Sequence, residues 1–275
     1  MLPPAKTDMG TAYYEITQPL NGIYRISDPM GSISTLVVGQ EAALLLDTGY
    51  GLGDIRSTVK EITALPLTVV CSHEHVDHIG GCCQFEKVWI HEKALQSLQR
   101  KDICEIRSRI LKAAEKQHQI QEGFFSEKPF MDYQFQNAEI LPDEKIFYLG
   151  GKTVSVVPLP SHTASSIGLL CREDRILLTG DSIAPMTSLV FPDSMSPEEY
   201  AGLLKQVEQY EFDHMLCSHS ANLLPKSFLQ TYRECAENWE TLDSYKYREQ
   251  FYPEIKGRIY FYKGEAALII KTKIN

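Results

Sequence analysis

Residues 72–81 read Ser72-His73-Glu74-His75-Val76-Asp77-His78-Ile79-Gly80-Gly81, and no other stretch of the chain carries comparable chemical information. Four metal-capable side chains, His73, His75, Asp77 and His78, fall within six positions. Imidazole with carboxylate suits zinc, and also iron or manganese. His73 and His75 are two residues apart, so in an extended chain they project to the same side. They follow the apolar run 67–71, where a strand stops. Asp77 and His78 are adjacent and converge on one point only if the chain has begun to turn or coil. The layout therefore suggests two ligand pairs serving two metal ions. Scattered surface histidines are common, but this density at the end of a strand, closed by Gly80-Gly81, does not fit that bland reading.

Other strand-like runs end in groups of the same kind. The run 44–46 ends in Asp47-Thr48-Gly49, and Ser161-His162-Thr163 follows the strand-like stretch 152–157. The run 176–180 ends in Asp181, and 216–217 leads into Ser218-His219. An Asp after a strand is usually a turn residue, and a lone His usually has no special task. Five such signals sharing one architecture point to loops converging at one edge of a sheet.

The set Asp47, His73-x-His75-x-Asp77-His78, His162, Asp181 and His219 resembles the five motifs of the metallo-β-lactamase-fold hydrolase superfamily, over residues from about 20 to 220. The resemblance implies an α/β fold, an αββα four-layer sandwich of two mixed β-sheets flanked by helices. It implies that His73, His75 and His162 hold one metal and that Asp77, His78 and His219 hold a second. Asp181 would bridge both, and Asp47 would orient a ligand histidine or the water at the metals. The catalytic carboxylates are then Asp47, Asp77 and Asp181. The third motif departs from the family pattern, because Ser165 in His162-Thr163-Ala164-Ser165-Ser166 stands where a glycine is usual. The resemblance favours the glyoxalase II-like and lactonase-like branches over true β-lactamases, many of which lack the bridging aspartate. A zincin is excluded, since His-Glu-x-x-His needs a histidine where Asp77 stands.

Composition narrows the class. With 275 residues, 43% of them hydrophobic, the chain can bury a substantial core as one large domain, 1–275. Its formal net charge is −9, and no cluster of Lys or Arg stands out, which disfavours nucleic acid as a partner. The seven cysteines are odd in number and scattered, so a disulfide framework is not expected. Cys71 and Cys217 lie two residues before His73 and His219 but read as small buried packing residues, and Cys82-Cys83 reads as core. The first residues, 1–6, lack the long apolar stretch of a signal peptide, and no run approaches transmembrane length. A cytoplasmic enzyme without membrane attachment is the expectation.

Strands are expected at 22–27, 32–38, 42–47 and 67–71, then at 152–157, 167–171 and 175–178, with a closing hairpin of 258–262 and 266–270. Helices are expected at 54–65, 197–210 and 225–239, and a helix-like region at 92–121. Both halves end strands in ligand-bearing loops, which suggests a pseudo-repeat. The region 92–135 lies between the first four ligands and His162 and is the candidate for a helical cap. Its aromatics Phe124, Phe125, Phe130, Tyr133 and Phe135, together with Met131, could bind the insertion to the sandwich or wall a pocket for an acyl chain or ring. Met186, Leu189 and Phe191, in a loop after Asp181, could approach the same pocket. His91, His118 and His214 have no place in the pattern.

Two divalent cations, with zinc the first choice and iron or manganese as alternatives, would present a bridging hydroxide to an electrophilic carbonyl. The expected function is hydrolysis of a small carbonyl ester, thioester or lactone. The alternatives are an iron-dependent thiol or persulfide oxidoreductase, a phosphodiesterase, and a metal-binding regulatory protein with vestigial catalysis. The expected partner is a small-molecule substrate, and an exposed cap could pair two copies into a homodimer.

Overall fold

The computed structural model describes residues 13–99 and 103–271; the first residues, 1–6, where no signal peptide is expected, lie outside them. The chain divides into two compact units, Met1–Ser155 and Val156–Asn275.

In the first unit, β1 (Glu15–Leu20), β2 (Ile23–Ser27), β3 (Ile33–Val38) and β4 (Ala43–Leu46) form an antiparallel meander. Gly22, at φ +73°, turns β1 into β2. β1 was not expected, although Asn21-Gly22 ahead of β2 is a hairpin signal. All four side chains of β4 are buried, as an uninterrupted Ala-Leu-Leu-Leu run requires. α1 (Ile55–Ile62) starts where the Asp54 side chain accepts the N–H of Ser57, and it carries the chain across to β5 (Leu67–Val70). β5 lies parallel to β4 with Leu46 opposite Val70, so Asp47 and the 71–73 segment leave the sheet side by side. A single helical turn, α2 (Val76–Ile79), follows, then β6 (Val88–Ile90).

The expected 92–121 region is two helices, α3 (Glu92–Leu98) and α4 (Ile103–Lys116); Arg100, Lys101 and Asp102 within it lie outside the described residues. α5 (Glu127–Asp132) and β7 (Ala138–Ile140) complete the segment, and β7 closes a seven-stranded sheet in the order β1 to β7. Arg107 of α4 is buried, and its guanidinium donates to the carbonyls of Met131 at 3.2 Å and Tyr133 at 2.8 Å. It also lies 5.6–5.8 Å from the ring centres of Phe130, Tyr133 and Phe135, all three buried. These aromatics therefore pack around one cation, whereas Phe124 and Phe125 are half-buried. β8 (Ile146–Tyr148) pairs antiparallel with the first residues of β9 (Thr153–Pro158), the strand in which the unit boundary falls.

In the second unit, β10 (Ile167–Cys171) and β11 (Ile176–Gly180) form a hairpin. β12 (Met186–Leu189), α6 (Pro197–Val207), β13 (His214–Cys217), β14 (Leu224–Pro225) and α7 (Phe228–Glu237) follow. β15 (Ser244–Arg248), β16 (Lys256–Tyr262) and β17 (Ala266–Lys271) end the described chain. One sheet runs β14-β13-β11-β10-β9, and another runs β12-β17-β16-β15. α6 opens with Pro197 behind a reciprocal Ser196–Glu199 cap. Tyr200 and Leu204 of α6 meet Leu229, Tyr232 and Cys235 of α7 in the core, with Leu268 and Ile270 of β17 beneath.

Residues 186–189, expected in a loop, are instead a strand. The parallel ladder with β17, Met186 opposite Ala267 and Leu189 opposite Ile270, draws them into a sheet that local pattern could not reveal. Among the described residues no helix is long and apolar enough to cross a membrane.

Candidate metal centre

The ligand-rich stretch of the first unit changes conformation midway. His75 is extended (φ −73°, ψ 146°) and caps α2, so His73 and His75 project from extended chain while Asp77 and His78 lie on a helical turn. That is the turn their adjacency demands, and Asp77 Oδ2 reaches to 3.3 Å from His78 Nε2. The His73 and His75 ring centres are 4.6 Å apart and those of His73 and His78 4.1 Å. All three histidines are buried, and the Asp77 side chain is 20% exposed.

The loop is seated on the chain that follows β4. Thr48 N and Thr48 Oγ1 both donate to the carbonyl of His78, at 2.7 and 3.0 Å. Gly80 N donates to Gly49 O at 2.9 Å, and a Cβ at Gly80 would stand 2.1 Å from the carbonyl oxygen of Tyr50. Glycine is therefore obligatory there for close approach, not for an unusual φ. Asp47 itself has φ +65°, a left-handed conformation that Asp tolerates better than most residues. In that pose Oδ1 accepts Ser72 N–H at 2.7 Å, while Oδ2 accepts Ser72 Oγ–H at 2.9 Å and His78 Nδ1–H at 2.8 Å. His78 thus carries its proton on Nδ1 and presents the Nε2 lone pair, the tautomer suited to binding a metal through Nε2.

A second brace was not legible in the sequence. Asp28 accepts the N–H groups of Met30 (2.9 Å), Ser32 (3.1 Å) and Tyr50 (3.3 Å). Ser32 Oγ in turn donates to the carbonyl of Asp77 at 2.5 Å. Burial pushes the Asp28 carboxyl up to about 6, against the lowering effect of those N–H groups. The signal available was Asp28-Pro29-Met30-Gly31, a turn sequence whose Asp bonds its own following backbone.

In the second unit His162, Asp181 and His219 come together. β11 and β13 are parallel with Gly180 opposite Cys217, so Asp181 and His219 leave adjacent strands on the same side. Asp181 Oδ2 lies 3.2 Å from His219 Nε2 and 3.8 Å from His162 Nε2, one oxygen facing two imidazoles. His162 Nδ1–H donates to Ser188 O at 2.7 Å, which again leaves Nε2 as the lone-pair nitrogen. Ser194 Oγ donates to His162 O at 2.6 Å, and Phe191 meets the imidazole edge-on at 5.1 Å. Of the three apolar residues expected after Asp181, then, Phe191 touches a histidine, Leu189 is core and Met186 is 53% exposed. Ser165 does not occupy a positive-φ conformation, so its backbone does not require a glycine, and its hydroxyl bonds Thr163 Oγ1 at 2.9 Å.

The cysteines next to the ligands are packing groups. Cys71 and Cys217 are buried, and a hydrogen bond with Cys82 (Sγ to Sγ 3.4 Å), reinforced by burial, holds the Cys71 thiol well above its ordinary range. Cys83, expected in the core beside Cys82, is exposed, because the 3-10 turn 82–84 rotates it outward. His91 caps α3 by accepting Lys93 N–H at 3.1 Å and pairs with Asp143.

Residues 28–219 match the family model described as the metallo-beta-lactamase superfamily. A Homo sapiens relative named acyl-coenzyme A thioesterase MBLAC2 is 29% identical over 160 residues, which is 54% of this chain and 57% of that protein. The chain thus spans a little over half the length of the curated relatives it matches. Among solved structures, a metallo-beta-lactamase from Pontibacter korlensis superposes with a TM-score of 0.55 at 18% identity, covering 82% of this chain and 99% of that one. The sec-alkylsulfatase Pisa1 from Pseudomonas sp. gives 0.60 at 16% identity, covering 82% and 42%. Likeness at that identity shows the fold, an α/β arrangement of mixed sheets and helices.

Proposed function

This chain belongs to the metallo-beta-lactamase superfamily, and from that premise we propose that it is a metal-dependent hydrolase of acyl thioesters, with esters and lactones as related substrates. The metal-capable groups are His73, His75, Asp77 and His78 in the first unit and His162, Asp181 and His219 in the second. In this reading His73, His75 and His162 would hold one divalent ion, Asp77, His78 and His219 would hold another, and the Asp181 carboxylate would contribute to both. The donor chemistry fits. His78 and His162 each donate Nδ1–H to a protein oxygen and keep Nε2 for a ligand bond. Three imidazoles in one set and mixed carboxylate and imidazole in the other suit zinc first, with iron or manganese accepted.

Two such ions, when bound, supply Lewis acidity and lower the pKa of water to about 7. The chain's own part is positional. Asp47 orients His78, Ser188 O orients His162, and Asp181 Oδ2 faces both His162 and His219. Phe191, edge-on to His162 and followed by Tyr252 at 5.6 Å, is buried in an apolar cluster that backs this histidine. Thioesters come first because their leaving group needs little protonation, and the name of the human relative supports that choice.

A small-molecule substrate is the proposed partner, which the net charge of −9 supports over nucleic acid. The seven cysteines are all free, which supports a cytoplasmic setting. The helices of 92–135 are proposed as a cap over the substrate, within a single superfamily domain.

The observation that carries the proposal is that His78 in the first unit and His162 in the second each have Nδ1–H held by a protein oxygen, which leaves Nε2 for a ligand bond. The test is hydrolysis of a panel of acyl thioesters, lactones and aryl esters before chelation, after it, and after return of zinc, manganese or iron. Turnover that disappears with chelator, returns with metal and is lost in Asp181→Ala supports the reading. No turnover by metal-replete protein on any panel member would sink it.

A further inference from the structure

We propose that Ser72 is a positioning residue whose hydroxyl relays the Asp47 carboxylate to His73, so that one buried carboxylate sets the tautomer of a histidine in each ligand set. Its consequence for metal binding rests on the hydrolase reading above, whereas its hydrogen-bond geometry stands without it.

Counting protons leads there. An ionised carboxylate only accepts, so both Ser72 Oγ at 2.9 Å and His78 Nδ1 at 2.8 Å must donate to Asp47 Oδ2. The Ser72 hydroxyl has one proton, and Asp47 takes it. Toward His73 Nδ1, at 3.1 Å, the same hydroxyl can then only accept. His73 is therefore protonated on Nδ1 and presents Nε2. The opposite tautomer would set a nitrogen lone pair against an oxygen lone pair across that distance.

Competing arrangements are weaker. Ser72 Oγ is 3.5 Å from His78 Nδ1, too long to displace the 2.8 Å bond to Asp47. The four residues are 0–1% exposed, so water does not replace a lost partner cheaply. The serine is further fixed by its own N–H on Asp47 Oδ1 at 2.7 Å, which aims the side chain before any metal arrives. Asp47 keeps a φ of +65° in order to reach all three donors. In the hydrolase reading His73 would serve one ion and His78 the other, so both would depend on a single orienting group.

Ser72→Ala should free His73 alone, whereas loss of the Asp47 carboxylate should free both rings. The experiment is long-range 1H–15N correlation of the histidine side chains in metal-free protein, at a pH where both imidazoles are neutral, followed by zinc titration. Wild type should show His73 and His78 both protonated on Nδ1. In Ser72→Ala, His73 should become a tautomer mixture with His78 unchanged, and one zinc equivalent should bind about 10–100-fold more weakly. Ser72→Thr, which keeps the hydroxyl, should restore both readouts. Wild-type His73 protonated on Nε2 overturns the proposal whether or not the alanine variant folds, and so does an unchanged His73 in Ser72→Ala. Expected tautomers in a protein that binds none of zinc, iron and manganese would leave the relay standing and defeat the hydrolase reading instead.

Discussion

His78 Nδ1 donates to Asp47 Oδ2 across 2.8 Å, and both side chains are closed to solvent. Asp47→Asn tests what the charge does, because Asn also tolerates a positive φ and so leaves the backbone pose available. The amide offers one acceptor oxygen to three donors. Metal affinity should drop about 10–100-fold with secondary structure retained, measured by isothermal titration and circular dichroism. Wild-type affinity in this variant would remove Asp47 from its orienting role.

Gly80 touches the Tyr50 backbone so closely that an added Cβ would stand 2.1 Å from the carbonyl oxygen. Gly80→Ala must push apart the segments that seat His78, and overpacking of this kind costs on the order of 1–3 kcal/mol or more. We expect a lower Tm and weakened metal binding together. A variant that keeps both would show that the loop can yield.

Asp28 supplies a pH dependence with a definite sign. Its folded carboxyl, pushed up to about 6 by burial, titrates above its unfolded value of 3.8. The folded state therefore holds the extra proton between those values, and stability falls as pH rises through that window. Over two pH units the effect is on the order of 3 kcal/mol. Relative to Asp28→Asn, metal-free wild type should lose stability between pH 4 and 7 in urea melts. A wild-type minus variant difference that is flat in pH contradicts the assignment.

Arg107 holds the 130–135 segment through two carbonyls and three aromatic faces. Arg107→Met keeps much of the stem but strips both hydrogen bonds, which should cost about 2–4 kcal/mol. Limited proteolysis should then cut first near 117–135. If that segment also caps the substrate, KM should rise more than kcat falls; unchanged kinetics with increased cutting would confine it to packing.

Some of this was readable from residue order alone. Asp47, His73, His162, Asp181 and His219 each follow a strand, and those strands are β4, β5, β9, β11 and β13 as apolar runs suggested. A run such as Leu44-Leu45-Leu46 declares its burial locally, and adjacent Asp77-His78 required the turn that α2 provides. Family membership follows from the same residues, because their types and spacing are written in one dimension.

The remainder needed the third dimension. Ser72 meets Asp47, 25 positions away, only because β4 and β5 are parallel in one register. Asp28 reaches Tyr50, and Arg107 reaches Tyr133, through turns and helix packing that no periodicity encodes. Short strands such as β7, β8 and β12 are set by the neighbour they pair with, since three or four residues carry too little pattern of their own. Sequence by itself determined which side chains could bind metal and that they end strands. Tertiary structure alone decided which ring nitrogen His78 and His162 present, because each tautomer is chosen by a hydrogen-bond partner brought in from a distant part of the chain.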